Sequence, residues 1–289
     1  MASGVAVVTD STAYLPVGVA EALGVRVVPL HVTLGDRTGS EDDVTPDEVA
    51  AALRDRRVRV TTSRPTPDDF ARTYAAAFDA GADAVLSVHL SGALSGTWQS
   101  AALAAQHAAG PVRVVDSRST AMGLGFAVMT AAELAAGGES LDKVYEAAER
   151  SLAGTRMLFY VDTLEHLRRG GRIRATAALV GTALAVKPIL HLMDGAIVLK
   201  EKVRTATRAL ARLEELAVSE VADLLGAQRL GGAVDVAVQH LAAPERAAQL
   251  GDRLRGTVPE LRRLFVSEVG AAIGAHVGPG VVGVVIVRV

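Results

Sequence analysis

The chain has 289 residues, half of them hydrophobic but only 3% aromatic, with a net charge of −2 and no cysteine. Disulfides and thiolate metal sites are therefore excluded, and balanced charge without a concentrated basic block argues against a nucleic-acid partner. No apolar run approaches the roughly 20 residues of a membrane span. A strand-like run already begins at Val5 and nothing before it resembles a secretory leader, so a cytoplasmic protein is expected.

In chain order, VAVVTDS (5–11) predicts a strand with a polar end, and PVGVAEALG (16–24) a helix with Pro in its first turn and Gly after its end. VRVVPLHVTL (25–34) predicts the next strand. TPDEVAAALRD (45–55) and TPDDFARTYAAAFDAG (66–81) both open with a threonine cap, proline at the first helical position and acids in the first turn. AVLSVHL (84–90) predicts a strand, Thr97–Ala109 a helix, and VRVVDS (112–117) a further strand. Two helices follow, LGFAVMTAAELAAG and SLDKVYEAAERSLAG. Strands separated by helices imply right-handed crossovers and a mainly parallel sheet covered by helices.

From about Met157 the rhythm changes. MLFYVDT predicts a strand, and PILHLMDGAIVLKEKV a hairpin turning at Asp194-Gly195, a pair suited to a type I′ turn. TRALARLEELAVSEVADLL predicts a long helix, and VDVAVQHL (234–241), LRRLFVSEV (261–269) and VVGVVIVRV (281–289) further strands. Hairpin pairing implies a mixed or antiparallel sheet. The expected organisation is α/β in two domains: residues 1–155 with a parallel sheet and the functional loops, and residues 156–289 with a mixed sheet.

Ligands of open parallel sheets bind where the carboxyl ends of the strands converge. Four expected ends are rich in hydroxyls: Thr9-Asp10-Ser11, Thr61-Thr62-Ser63-Arg64-Pro65, the run SGALSGT (91–97), and Asp116-Ser117-Arg118-Ser119. Each alone reads as helix caps and turns; together they suggest a site. Three chemistries suit SGALSGT. A serine nucleophile needs a base and an elbow of the form G-x-S-x-G, but the spacing around Ser95 differs and only distant histidines such as His240 or His276 could serve. A phosphate cradle lacks its glycine-loop signatures and any obvious carboxylate cluster for Mg²⁺. A carboxylate socket needs only hydroxyls and helix amides, and fits the letters best.

These segments resemble the DegV family of bacterial fatty-acid-binding proteins. SGALSGTWQSA is similar to that family's SGLSGTYQSA, VTDSTAYLP to its TDS motif, and TTSRPTP to its TSxPSP motif. VDS (115–117), VDTLEHLRRGGRI (161–173), KPIL (187–190) and AHVGPGVVGV (275–284) complete seven ordered motifs over nearly the whole chain. Trp98 replaces a tyrosine, Arg168-Arg169 replaces a lysine-containing pair, and an alanine widens the SGALSG loop.

The resemblance implies an α/β/α domain followed by an α/β domain with about six strands in a mixed sheet. It implies a long-chain fatty acid such as palmitate as ligand, with no catalytic residue, metal or cofactor, and presentation of that acid to a separate ATP-dependent fatty acid kinase. The carboxylate would lie at Thr62 and Ser95, with His276 bonding it or orienting Thr62, and Gly92 and Gly96 allowing close backbone approach. Arg172 belongs to the head group or to a partner surface. Lys202, Arg204 and Arg208 form a basic group suited to partner docking. A C16 tail carries about 12 kcal/mol of gross transfer energy at ~0.8 per methylene. The head group then needs pairing more than strong attraction, and neutral hydroxyls would suffice. The contrasting readings are an acyl-ester hydrolase using Ser95 and a kinase-like domain acting on a small polyol.

Overall fold

The structure is a computed structural model and describes residues 4–55, 57–173, 186–226 and 232–289. Its first strand, β1 (Gly4–Asp10), ends in a short 3-10 turn over Ser11–Ala13. Only one turn of helix follows, α1 (Val19–Ala22). The helix expected from Pro16 starts late because Gly18, with φ of 79°, precedes it in the left-handed region. Residues 25–34, expected as one strand, divide into β2 (Arg26–Val28) and β3 (His31–Leu34). Pro29 has no amide hydrogen to continue a ladder, so the chain leaves one sheet there and enters another. A hairpin then pairs β3 with β4 (Arg37–Ser40), which the sequence reading omitted.

The two threonine-proline openings form α2 (Pro46–Arg54) and α3 (Pro67–Asp79), each with a reciprocal capping box, Thr45 with Glu48 and Thr66 with Asp69. Between them runs β5 (Val60–Ser63), which pairs antiparallel with β3. Then come β6 (Ala82–His89), α4 (Thr97–Ala105), β7 (Val112–Asp116), α5 (Met122–Ala136) and α6 (Leu141–Ala153). A parallel four-stranded sheet, ordered β2-β1-β6-β7, has α3 and α4 on one face and α5 and α6 on the other. The Thr62 loop belongs instead to the three-stranded sheet β4-β3-β5. The four polar segments thus do not end strands of one sheet, as the sequence suggested; Pro29 sends the chain into the second.

The second half opens with β8 (Thr155–Tyr160) and α7 (Glu165–Arg169). The hairpin β9 (Lys187–Met193) and β10 (Ala196–Val203) turns at Asp194 and Gly195, whose φ values of 49° and 78° are those of a type I′ turn. The remaining elements are α8 (Ala206–Leu225), β11 (Val234–His240), α9 (Pro244–Thr257), β12 (Leu261–Glu268), α10 (Ala271–Val277) and β13 (Val282–Arg288). The resulting mixed sheet has six strands ordered β10-β9-β8-β13-β11-β12, with α8 and α9 sealing one face through Leu213, Leu216 and Leu250.

Helix α5 joins the two sheets. Leu124 and Val128 pack toward the parallel sheet, whereas Met122, Phe126 and Met129 meet Ala237, Val285 and Val287 of the mixed sheet. A helix covered on both sides needs an apolar circumference, and the run MGLGFAVM provides one with no charged residue. The other face of the mixed sheet, with Phe159, Leu190 and Ile197, turns toward the loops of the first half, among them Leu94 and Tyr14.

Candidate functional site

A cavity lies between that face and those loops, holding about 940 Å³ of empty space, its mouth included. Most of its lining is aliphatic or aromatic: Leu30 and Leu90 from the first half, Met157, Phe159 and Val285 from the mixed sheet, and Ile273 from α10.

Four of the predicted residues meet at this lining: Thr62, Ser95, Arg172 and His276. Thr62 leaves β5, and its Oγ1 lies 2.8 Å from His276 Nε2 on α10. Burial first, and then the charge of Arg172, lower the pKa of His276 to about 4, so its imidazole is neutral near pH 7. The ring rests against Gly170, where a Cβ would collide with Nδ1. That contact accounts for one glycine of the Gly170-Gly171 pair in physical terms.

Arg172 reaches the same place from the segment after α7. Its Nε donates to the carbonyl of Leu94 at 3.1 Å and its Nη1 to that of Gly170. Burial lowers its pKa from the ordinary guanidinium value, and a guanidinium stays cationic nonetheless. No carboxylate pairs with it among the described residues. The socket of neutral hydroxyls expected from the sequence is therefore joined by a positive charge. Folding brings Arg172 beside Leu94, 78 positions away in the chain.

Ser95 is not the helix cap that a purely local reading suggests. Gly96 occupies the cap position of α4 without a side-chain bond, and Ser95 Oγ lies 2.9 Å from Thr97 Oγ1. The helix also ends at Ala105, short of Ala109. Gly92 and Gly96 make their close approaches to other protein groups and do not line the cavity. Gly92 donates its amide to Asp116 Oδ1 at 3.0 Å, and the side chain of Arg64 lies over Gly96. Lys202, Arg204 and Arg208 are exposed at the end of β10 and the start of α8, and none lines the cavity.

Buried residues around the cavity position its loops. Asp10 is fully buried and accepts from the amide of Leu90 at 2.9 Å, fixing the start of SGALSGT. It also faces His89 Nδ1 at 3.0 Å, while His89 Nε2 lies 2.6 Å from Ser87 Oγ. This Asp–His–Ser chain has a hydrolase-like connectivity, but all three residues are 0% exposed and Tyr74 closes its far end at 2.9 Å. It is an internal strut. Ser95 itself has no basic partner among the described residues.

Ser91 Oγ donates to the carbonyl of Gly195 at 2.7 Å, joining this loop to the hairpin of the mixed sheet. Buried Glu41 accepts from the amide of Ala272 at 2.7 Å and from Tyr14 at 2.8 Å, holding α10 against the first half. Burial raises its pKa above the ordinary carboxyl value. The letters TDS and SGxxSG signalled these loops, but nothing local singled out Glu41 in SEDD.

The chain is similar to known proteins over its whole length. A family model described as "uncharacterised protein, DegV family" matches residues 4–289. A DegV domain-containing protein of Streptomyces coelicolor is 55% identical over 288 residues, covering 99% of each chain. The crystal structure of DegV from Bacillus subtilis, described as a fatty acid binding protein, is 33% identical and superposes with a TM-score of 0.87, covering 99% of each chain. A DegV family protein from Thermus thermophilus, whose structure concerns fatty acid binding, is 37% identical with a TM-score of 0.87, covering 99% of this chain and all of that one. With seven ordered motifs, a family model matching residues 4–289 and a fold shared at a TM-score of 0.87, the chain belongs to the DegV family.

Proposed function

We propose that this protein binds a long-chain fatty acid, with its carboxylate at Thr62, Ser95, His276 and Arg172 and its tail in the apolar cavity. One observation carries this reading. Arg172, with no carboxylate partner among the described residues, and the Thr62–His276 pair stand at a cavity lined mostly by hydrocarbon, with Arg64 also on its lining. An amphiphile with one negative end complements that distribution. If His276 Nε2 donates to Thr62, the Thr62 hydroxyl is free to donate to the carboxylate, and Arg172 supplies a charge-assisted bond. The two halves of the chain, 1–155 and 156–289, act in this reading as one binding unit. Two similar chains of known structure are described as fatty-acid-binding, which favours the same ligand class here.

The bound acid, palmitate or a chain of similar length, would be presented to a separate ATP-dependent kinase. That enzyme would transfer a phosphoryl group from ATP to the carboxylate oxygen and release ADP. This chain would supply the acyl substrate and no catalytic group, acting within the cytoplasm. Lys202, Arg204 and Arg208 are retained as a docking surface at a distance from the cavity lining.

The direct test is mass spectrometry of an organic extract of the purified protein. A long-chain fatty acid at near-stoichiometric amount is expected, and Arg172→Met should arrive depleted. An extract free of acyl chains, together with failure to bind added palmitate, would overturn the reading.

A further inference from the structure

Helix α10 is seven residues long, and four of them, Ala272, Ile273, His276 and Val277, line the cavity. Their spacing, i, i+1, i+4 and i+5, is that of one helical face. The back of the helix packs through apolar contact, where a Cβ on Gly274 would touch Leu241 and Val49. Such contact has no direction, so it does not by itself fix the rotation of a short helix about its axis. Hydrogen bonds do have direction, and they hold α10 at both ends. His276, in the last turn, meets Thr62 at 2.8 Å. The first turn is held from the other half of the chain.

Glu41 supplies that hold. It is 6% exposed and accepts from the amide of Ala272 at 2.7 Å, from the hydroxyl of Tyr14 at 2.8 Å, and from the hydroxyl of Ser11. Tyr14 Oη in turn accepts from the amide of Ile273 at 3.1 Å, and Ser11 Oγ from that of Leu30 at 3.0 Å. A Cβ on Gly270 would collide with both Glu41 and Tyr14, so the approach of the chain to this cluster requires glycine there. Glu41 itself does not line the cavity, but the bonds of its cluster end on Leu30, Ala272 and Ile273, which do.

We propose that Glu41 is a positioning residue for carboxylate recognition. With Tyr14 it sets the rotation of α10, and so the place of His276 and of the Thr62 hydroxyl in the socket. The proposal rests on the fatty-acid reading for the ligand. Ala272 and His276 are four positions apart, about one turn, so a rotation at the first carries to the second. The tail, by contrast, meets walls on other elements, among them Leu90, Met157, Phe159 and Val285. Loss of Glu41 therefore acts on the head group more than on the tail.

The test measures palmitate and hexadecan-1-ol, a chain of the same length without a carboxylate, on delipidated parent, Glu41→Ala and Glu41→Gln. In Glu41→Ala palmitate should bind about tenfold more weakly, with the alcohol within about twofold of the parent. Glu41→Gln keeps an acceptor oxygen for Ala272 and Tyr14 and should retain palmitate affinity within about threefold. In ligand-free protein the nuclear magnetic resonances of the His276 ring, assigned by their absence in His276→Gln, should move in Glu41→Ala and stay near the parent's in Glu41→Gln. A role confined to stability would lower the melting temperature and weaken both ligands alike, or neither; either result overturns the proposal. Unmoved His276 resonances, or a loss in Glu41→Gln as large as in Glu41→Ala, overturn it as well. If Glu41→Ala does not fold, Tyr14→Phe takes its place, with the same split between acid and alcohol expected in smaller degree. Failure of the parent to bind palmitate sinks the fatty-acid reading instead, and the His276 resonances still decide whether Glu41 positions the helix.

Discussion

Thr62 and His276 lie 214 positions apart and share one hydrogen bond, so each sets the geometry of the other. Removing either hydroxyl of the socket should cost a bound carboxylate about 1.5–3 kcal/mol, roughly 10- to 150-fold in affinity. Thr62→Ala and Ser95→Ala should show this as weakened retention of a fluorescent fatty acid with unchanged circular dichroism; unaltered affinity in the double variant would misplace the head group. His276 also makes a pH prediction. Its folded pKa of about 4 lies below the ordinary value of 6.5, so the unfolded chain binds the extra proton first as pH falls. Stability is then fully present above about pH 6.5 and is lost progressively toward pH 4, by at most ~3 kcal/mol. Urea titrations of the delipidated protein at pH 7 and pH 4.5 should show that loss. In His276→Gln the contribution of this residue disappears and the difference between the two pH values narrows.

At the scale of elements, the hairpin turn between β9 and β10 is a contact as well as a reversal. Gly195 has a φ of 78°, and a Cβ there would strike Ser91 Oγ, the group that bonds its carbonyl. Gly195→Ala should therefore destabilise through backbone strain and through the displaced Ser91, by about 1–3 kcal/mol. Ser91→Ala, which only removes the bond, should cost about 1 kcal/mol. Thermal melts separate the two, and equal losses would show that steric displacement contributes nothing. The caps are more local in effect. Thr66→Ala removes a hydroxyl that accepts from the Asp69 amide and donates to its carboxylate. About 1 kcal/mol should be lost from α3, with little consequence for the cavity, because neither residue lines it.

For the whole molecule, α5 makes the two sheets interdependent. Leu124 faces one core and Phe126 another, 0% and 2% exposed. Truncation to alanine should cost about 2–5 kcal/mol at Leu124 and about 3–5 kcal/mol at Phe126. Because α5 belongs to both cores, a single coincident unfolding transition by tryptophan fluorescence and far-ultraviolet dichroism is expected, Trp98 being the one tryptophan and lying in α4 beside the parallel sheet. A Phe126→Ala protein whose two probes separate would place the weakness at the junction with the mixed sheet. Coincident transitions that persist at lower stability would mean that the sheets remain coupled through Glu41, α10 and the Ser91–Gly195 bond.

The sequence by itself determined the elements whose cause is local. The capping boxes of α2 and α3, the Asp194-Gly195 turn, the apolar circumference of α5 and the alternation of strands with helices all depend on neighbours a few positions away. It also marked Thr62, Ser95, Arg172 and His276, through motif letters whose spacing only a known family makes meaningful. It gave no warning that Pro29 would divide residues 25–34 between two sheets, since the second sheet exists only where β4 and β5 come to meet β3. The run RDRRVR at 54–59 interleaves one acid with four arginines and by itself signals no site. Its significance depends on Arg169 and Arg172, more than a hundred residues later. Only the tertiary structure decided that Arg172 stands with Thr62 and His276 at the cavity lining, that Arg57, Arg59 and Arg169 line an adjoining cleft, and that Lys202, Arg204 and Arg208 lie off the cavity lining. Periodicity and caps are properties of one segment, whereas the charge around a cavity is set by which distant segments the packed cores bring to its rim.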